Sequence, residues 1–182
     1  ARGRLGVRIV ISAGMAGASG VVSVGEAGLG RGPGGEACVM ARRWLTGDVN
    51  AAAEGAMEAG AASFVLHLSQ GLAQPQVLLD ELHPAVEVVR GQPLVFYEEA
   101  DLARGYDAAF MIGMHARAGE SGVLSHSLIA PLVREIRLND RPVGEAELTA
   151  ALASAYGIRT VLVTGDDRVC LDIQRWSSGK IE

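Results

Sequence analysis

Several features are scarce in these 182 residues, and each scarcity excludes something. There are only two cysteines, Cys38 and Cys170, too few for a disulfide framework or a cysteine-based metal knuckle. They read as buried free thiols, which suits a cytoplasmic protein. Positive charge is also in short supply: 16 Lys and Arg stand against 21 Asp and Glu, for a net charge of -5 and a pI near 5.4. Apart from Arg2/Arg4 and Arg42-Arg43 the basic residues are scattered, so neither nucleic acid nor an anionic membrane is an expected partner. No apolar run reaches the length needed to cross a bilayer. The run after Ala1-Arg2-Gly3-Arg4 is too short for a signal peptide.

What is abundant is apolar and small. Hydrophobic residues make up 49% of the chain, and mean hydropathy is +0.23. A chain of this length buries roughly 70% of its unfolded surface, enough for one substantial core, and residues 1–182 read as a single domain. Nine glycines fall between Gly14 and Gly35, which reads as a loop close to a site or a neighbouring subunit.

Around that loop, strand and helix patterns alternate. Leu5 to Ser12, Ser63 to Leu68, Pro93 to Tyr97, Ala108 to Gly113 and Ile158 to Val163 are short apolar runs of the kind buried in parallel or mixed sheets. Val133 to Leu138 partly alternates and reads as a half-exposed strand. Leu45, Val49, Ala52, Ala53 and Ala56 share one face of a helix from Glu36 to Ala59, stopped by Gly60. A short helix is expected from Val77 to Leu82. A second amphipathic helix runs from Glu145 to Tyr156, with Leu148, Ala151, Leu152 and Ala155 as its apolar face. The alternation predicts an α/β fold, a layered sheet flanked by helices.

The residues that could carry chemistry cluster late in the chain. His115 follows an apolar strand and a glycine, and His126 lies between two serines. Either could be a metal ligand or a general base, since imidazole titrates near neutrality, and either could be a hydrogen-bonded structural histidine. Glu145 opens a helix, where the dipole favours a carboxylate. Arg117 reads as a surface or salt-bridged arginine before it reads as a substrate clamp. Asp166-Asp167 reads as a solvated turn, and His67 and His83 give weak signals. The glycine-rich loop lacks the lysine-bearing end of a phosphate-binding P-loop, so no nucleotide site is expected there.

Three stretches in order, His115-Ala116-Arg117-Ala118, Ser125-His126-Ser127 and Asn139 to Glu145, resemble the bacterial zinc D-aminopeptidases. The resemblance extends over Ser12 to Gly20, Ala41 to Gly71, Glu81 to Pro84 and Ala108 to Asp167, and implies the fold of that family's N-terminal part. It also implies two zinc ions. Their ligands would be an Asp and a Glu in an N-terminal motif, the His of a second motif, the first His of H-A-R-A and the Glu of R-P-V-G-E. The His of S-H-S would be catalytic.

This chain departs from that pattern at three of the five ligand positions. Ser12-Ala13-Gly14-Met15-Ala16-Gly17 puts Gly14 where the Asp belongs and Ala16 where the Glu belongs. His67-Leu68-Ser69-Gln70 puts Gln70 at the histidine position, and His67 is three residues out of register with it. Only His115 and Glu145 remain, whereas a zinc site normally takes three protein ligands or more. The family's C-terminal region also has no counterpart before the chain ends at Glu182.

The expectation is therefore a metal-independent enzyme subunit with no cofactor, repurposed from the peptidase fold. His126 is its catalytic residue, and His115, Glu145, Gln70 and Arg117 bind a small amine-bearing substrate for a cyclisation or elimination in natural-product biosynthesis. The alternatives are a non-catalytic scaffold in a complex and, more weakly, a hydrolase holding one metal through His115, Glu145 and water. A homo- or hetero-oligomer is expected in any of these cases.

Overall fold

A computed structural model describes residues 6–29, 35–68, 76–90, 105–129 and 132–181. Five parallel strands form the central sheet in the order β3-β2-β1-β4-β7: β1 Val7–Ala13, β2 Ala61–His67, β3 Val86–Val89, β4 Ala108–Met114 and β7 Arg159–Gly165. Helix α1, Glu36–Glu58, covers one face, and α2, Glu145–Ala155, with α3, Asp167–Ser177, covers the other. The α/β class read from the sequence is the observed one.

Alternation along β1 shows why the sheet is covered twice. Ile9 and Ile11 pack with Leu45, Val49 and Ala53 of α1, while Val10 points the other way, towards Ala153 of α2 and Ile158. Strands buried on both faces read as continuous apolar runs, as these do. In α1 the expected face is the buried one at Leu45, Val49 and Ala53, with Ala52 and Ala56 half-buried.

In α2 the expected face is not the buried one. Ala146, Thr149, Ala150 and Ala153 are buried, while Leu148, Ala151 and Leu152 are only partly covered and Ala155 is exposed. Small side chains let this helix approach the sheet closely, and closeness outweighs the burial of the two larger leucines.

Other differences are local. A 3-10 turn at Leu79–Glu81 replaces the expected helix from Val77 to Leu82. Val133 to Leu138 contributes only β5, Ile136–Leu138, which pairs antiparallel with β6, Arg141–Val143. Asn139 and Asp140 join them with φ of 49° and 61°, the double left-handed turn that closes two-residue hairpins. The expected strand Pro93 to Tyr97 lies outside the described residues.

Candidate active site

The site is built at the carboxyl ends of β1, β4 and β7, where open parallel sheets place their ligands. Here the strand ends meet backbone to backbone. The amide of Gly14 donates to the Ile112 carbonyl and that of Gly17 to the Gly113 carbonyl, both at 2.9 Å. A Cβ on Gly17 would stand 1.6 Å from the Met114 oxygen, and one on Gly113, whose φ is +72°, would stand 2.1 Å from the Gly14 oxygen. Glycine at 17 and 113 is therefore a steric requirement. The start of the glycine-rich stretch is a fitted seam against β4.

Immediately after β4 the chain presents His115, 1% exposed. Its Nδ1–H donates to its neighbour Ala116's carbonyl at 3.0 Å, because a carbonyl only accepts. That leaves Nε2 aimed at Glu145, 3.4 Å from Oε1, an ion-pair separation at which Nε2 makes no hydrogen bond. Glu145 is the first residue of α2, and its Oε1 also accepts the Leu128 amide at 2.7 Å. His126 stacks on His115 with ring centroids 3.7 Å apart and planes 11° from parallel. Its own Nδ1–H donates to the Leu124 carbonyl at 2.7 Å, and among the described residues nothing bonds its Nε2.

The loop carrying His126 is held under strain. Leu124 and Leu128 flank it with φ of 53° and 52°, a region leucine adopts at a cost of about 1–2 kcal/mol. The His126 amide donates to the Ala116 carbonyl, and Ser127 Oγ accepts the Ala118 amide. Asp166 ties the far side. Its Oδ2 accepts the Ala116 amide at 3.1 Å, while its Oδ1 accepts Val169 N–H as the N-cap of α3. The Asp166-Asp167 pair, expected as a solvated turn, instead starts a helix that the sequence reading missed and locks the histidine loop to β7. A capping Asp ahead of Val169 and Ile173 was the available signal.

Charge is divided within this cluster. Burial pushes the His115 pKa down, but the Glu145 carboxylate outweighs it and the net shift is upward. Burial pushes Glu145 up, and its contact with His115 outweighs that, leaving it below the usual carboxylate range. Burial, with the adjacent His115 charge, lowers His126. The arrangement favours an imidazolium–carboxylate pair lying against a neutral imidazole.

The remaining candidates are placed as follows. Arg117 is ion-paired with Glu120, which also holds Arg168 at 2.6 Å, and Arg168 in turn reaches Asp172 at 3.2 Å. His67 ends β2 and is buried. His83 accepts the Ala85 amide through Nδ1, a turn contact. Gln70 lies outside the described residues. Cys38 is buried and Cys170 half-buried, both free.

Together the parallel sheet, the seam and the His-His-Glu cluster define an α/β protein with a buried polar cluster at the strand ends. The profile of the D-aminopeptidase family matches residues 7–182, and the chain belongs to that family. A D-aminopeptidase of Bacillus subtilis (strain 168) is 37% identical over 98 residues, 54% of this chain and 35% of the relative. Among solved structures, the Zn-dependent D-aminopeptidase DppA from Bacillus subtilis, described as a self-compartmentalizing protease, superposes with a TM-score of 0.83 at 28% identity. The match covers 93% of this chain and 60% of that one, so the chain spans less than two thirds of either relative.

Among the described residues, the donors present do not fit a pair of zinc ions. At the seam, Gly14 and Ala16 offer no side-chain donor. Across from it His115, His126 and Glu145 offer one ligand atom each, all within 4.8 Å of one another. Two nearly parallel imidazoles do not aim their lone pairs at one point, since an ion in the plane of one ring lies well off the plane of the other.

Proposed function

We propose that this member of the D-aminopeptidase family is a metal-independent enzyme acting by base and positional catalysis on a small amine-bearing substrate. One observation carries the reading: His126 stacks on a buried His115–Glu145 pair with its Nδ1 fixed and its Nε2 free. A fixed Nδ1–H leaves Nε2 as the basic nitrogen, and the pair beneath it holds a charge at a set place. In this scheme His126 accepts a proton from the substrate as an intramolecular attack or an elimination proceeds. Glu145 holds the ammonium or amine, and His115 orients Glu145. Arg117, ion-paired with Glu120, and Gln70 are the further candidate substrate-binding residues. The amine preference is carried over from the relatives, which are named D-aminopeptidases. A cyclisation in natural-product assembly is a reaction that base and positional catalysis alone can drive. The scarcity of cysteine supports a cytoplasmic setting, and no helix among the described residues is long and apolar enough to cross a membrane.

One observation favours a second reading, a single-metal hydrolase. The 3.4 Å between His115 Nε2 and Glu145 Oε1 is close to the ~3.3 Å that separates two ligands of a tetrahedral zinc. His115 and Glu145, with His126 after a ring rotation, would hold the ion, which would supply a Lewis acid.

Metal analysis of the purified protein, paired with turnover of D-aminoacyl amides and amine-bearing esters with and without a chelator, separates these readings. Turnover that survives chelation and falls by about 10²–10⁴ in His126→Ala supports the metal-independent enzyme. Stoichiometric metal and chelator-sensitive turnover establish the hydrolase. No turnover of any amine-bearing substrate, with a stable complex to another chain, overturns both in favour of a scaffold.

A further inference from the structure

Two residues after His115 the chain makes a tight turn, Arg117-Ala118-Gly119-Glu120, in which the Glu120 amide donates to the Arg117 carbonyl at 3.2 Å. Gly119, with φ of +88°, takes the left-handed third position that a type II turn gives to glycine. A turn of this kind brings its first and last residues close, and here their side chains are ion-paired. Glu120 divides its carboxylate between two arginines. Oε1 accepts from Nη2 of Arg117, and Oε2 accepts from Nη2 of Arg168 at 2.6 Å. Arg168 is held in turn through Nε by Asp172, one turn further along α3, at 3.2 Å. The four charges alternate in sign, and their side chains are only 16% to 29% exposed. Isolated surface pairs contribute little, but a partly buried network of charge-assisted bonds fixes geometry.

The stem of Arg117 is fixed as well. A Cβ added to Gly144 would stand 3.1 Å from the Arg117 Cβ, so Arg117 packs against the residue that precedes Glu145. To either side of it, the Ala116 carbonyl accepts the His126 amide and the Ala118 amide donates to Ser127 Oγ. Arg117 therefore lies where the His126 segment and the start of α2 meet. Only Nη2 of its guanidinium is taken, and Nε and Nη1 bond nothing among the described residues.

We propose that Glu120 is a positioning residue: anchored by Arg168 and Asp172, it holds Arg117 by one nitrogen and leaves Nε and Nη1 for an oxygen of the substrate. This rests on the reading of Arg117 as a substrate-binding residue. A guanidinium is a rigid planar fork of five donors, so fixing the stem and one nitrogen sets the place of the others. Glu120 touches no substrate in this scheme and acts through Arg117. Helix α3 then secures the histidine loop twice, at its root through Asp166 and at its turn through Arg168.

Steady-state turnover of an amine-bearing ester and arginine side-chain NMR of the whole chain, on the same variants, test it. Glu120→Ala should raise KM about tenfold or more and change kcat less than about twofold, the pattern of lost binding without lost chemistry. Arg168→Met, one link further from Arg117, should raise KM by a smaller factor. Glu120→Gln keeps an acceptor for Nη2 and should recover most of the loss. In the spectrum, the Arg117 signals are those missing from Arg117→Lys. Ion pairing hinders rotation of the guanidinium, so its two Nη nitrogens should be resolved in wild type and averaged in Glu120→Ala. A KM unmoved in Glu120→Ala, a loss confined to kcat, or Arg117 nitrogens already averaged in wild type overturns the proposal. Absence of turnover with every amine-bearing substrate overturns the functional reading instead. Averaging of the Arg117 pair in Glu120→Ala and Arg168→Met would then still establish Glu120 as its anchor.

Discussion

The two sides of the strand-end site are built from different material. On the β4–α2 side, the polar side chains of His115, His126 and Glu145 converge and are held by backbone partners at Ala116, Leu124 and Leu128. On the β1 side, where the family resemblance implies carboxylates at Gly14 and Ala16, the chain contributes backbone: the Gly14 and Gly17 amides hydrogen-bonded to β4. The contrast teaches that one side of a strand-end site can be fixed by backbone contacts alone while the other is fixed through polar side chains.

The largest expected effect comes from removing that contrast. In the triple variant Gly14→Asp/Ala16→Glu/Gln70→His, every ligand position the family resemblance names is filled. Gly14 is outside the left-handed region, so a side chain there meets no conformational penalty. Zinc held by a complete ligand set is worth about 10 kcal/mol or more, so uptake should go from sub-stoichiometric to at least one ion per chain by plasma emission analysis. Failure of the triple variant to take up zinc would mean that the β1 seam no longer places ligands at all.

The next effect tests the seam as packing. Gly113→Ala adds a Cβ 2.1 Å from a backbone oxygen that cannot rotate away, at a left-handed φ. Overpacking and the backbone penalty together predict a loss of about 3 kcal/mol or more in urea unfolding. Gly47→Ala, in mid-helix with open space around its Cβ, should instead gain up to about 1 kcal/mol. If the two substitutions behaved alike, the steric account of the seam would fail.

The layered sheet was legible because fully buried strands read as bare apolar runs, and α1 because Leu45, Val49 and Ala53 keep helical spacing on one face. His115, His126 and Glu145 were legible as candidates, and their proximity followed from the family resemblance. Their division of charge was not, because it depends on a 3.4 Å contact and a ring stack that no spacing encodes. The buried face of α2 was misread because hydropathy ranks leucine above alanine, whereas close approach to a sheet favours the smaller residue. Helix α3 was missed because Asp166-Asp167 was read for its charge and not for its capping. The β5–β6 hairpin was missed because Asn139-Asp140 lacks the glycine of the commonest tight turn, although both residues tolerate positive φ.

A smaller effect probes how the His-His-Glu side is anchored. Asp166 caps α3 through one oxygen and holds the Ala116 amide through the other. Asp166→Ala should cost about 1–2 kcal/mol, the range for losing an N-cap. It should also raise amide exchange at Ala116, on the histidine loop, and not only at Val169. Exchange confined to the helix would reduce Asp166 to a cap alone.

The smallest effect is a pH dependence at the start of α2. Glu147 is buried, and its Oε2 accepts the Gly144 amide at 2.9 Å, the glutamate half of a capping box whose other half a glycine cannot supply. Burial raises its pKa, and the Asp172 charge adds to that, so the folded protein resists ionising this carboxyl more than the unfolded chain does. A group whose folded pKa is raised contributes its stability below the unfolded value, and that contribution fades as pH climbs through the folded one. Glu147→Gln keeps an acceptor for the Gly144 amide and never ionises. Its melting temperature relative to wild type should therefore rise between pH 4 and pH 7, by an amount no larger than a few degrees. An opposite trend would mean that the carboxylate is stabilised where it lies, and that the helix dipole and the Gly144 amide together overcome the cost of burying it.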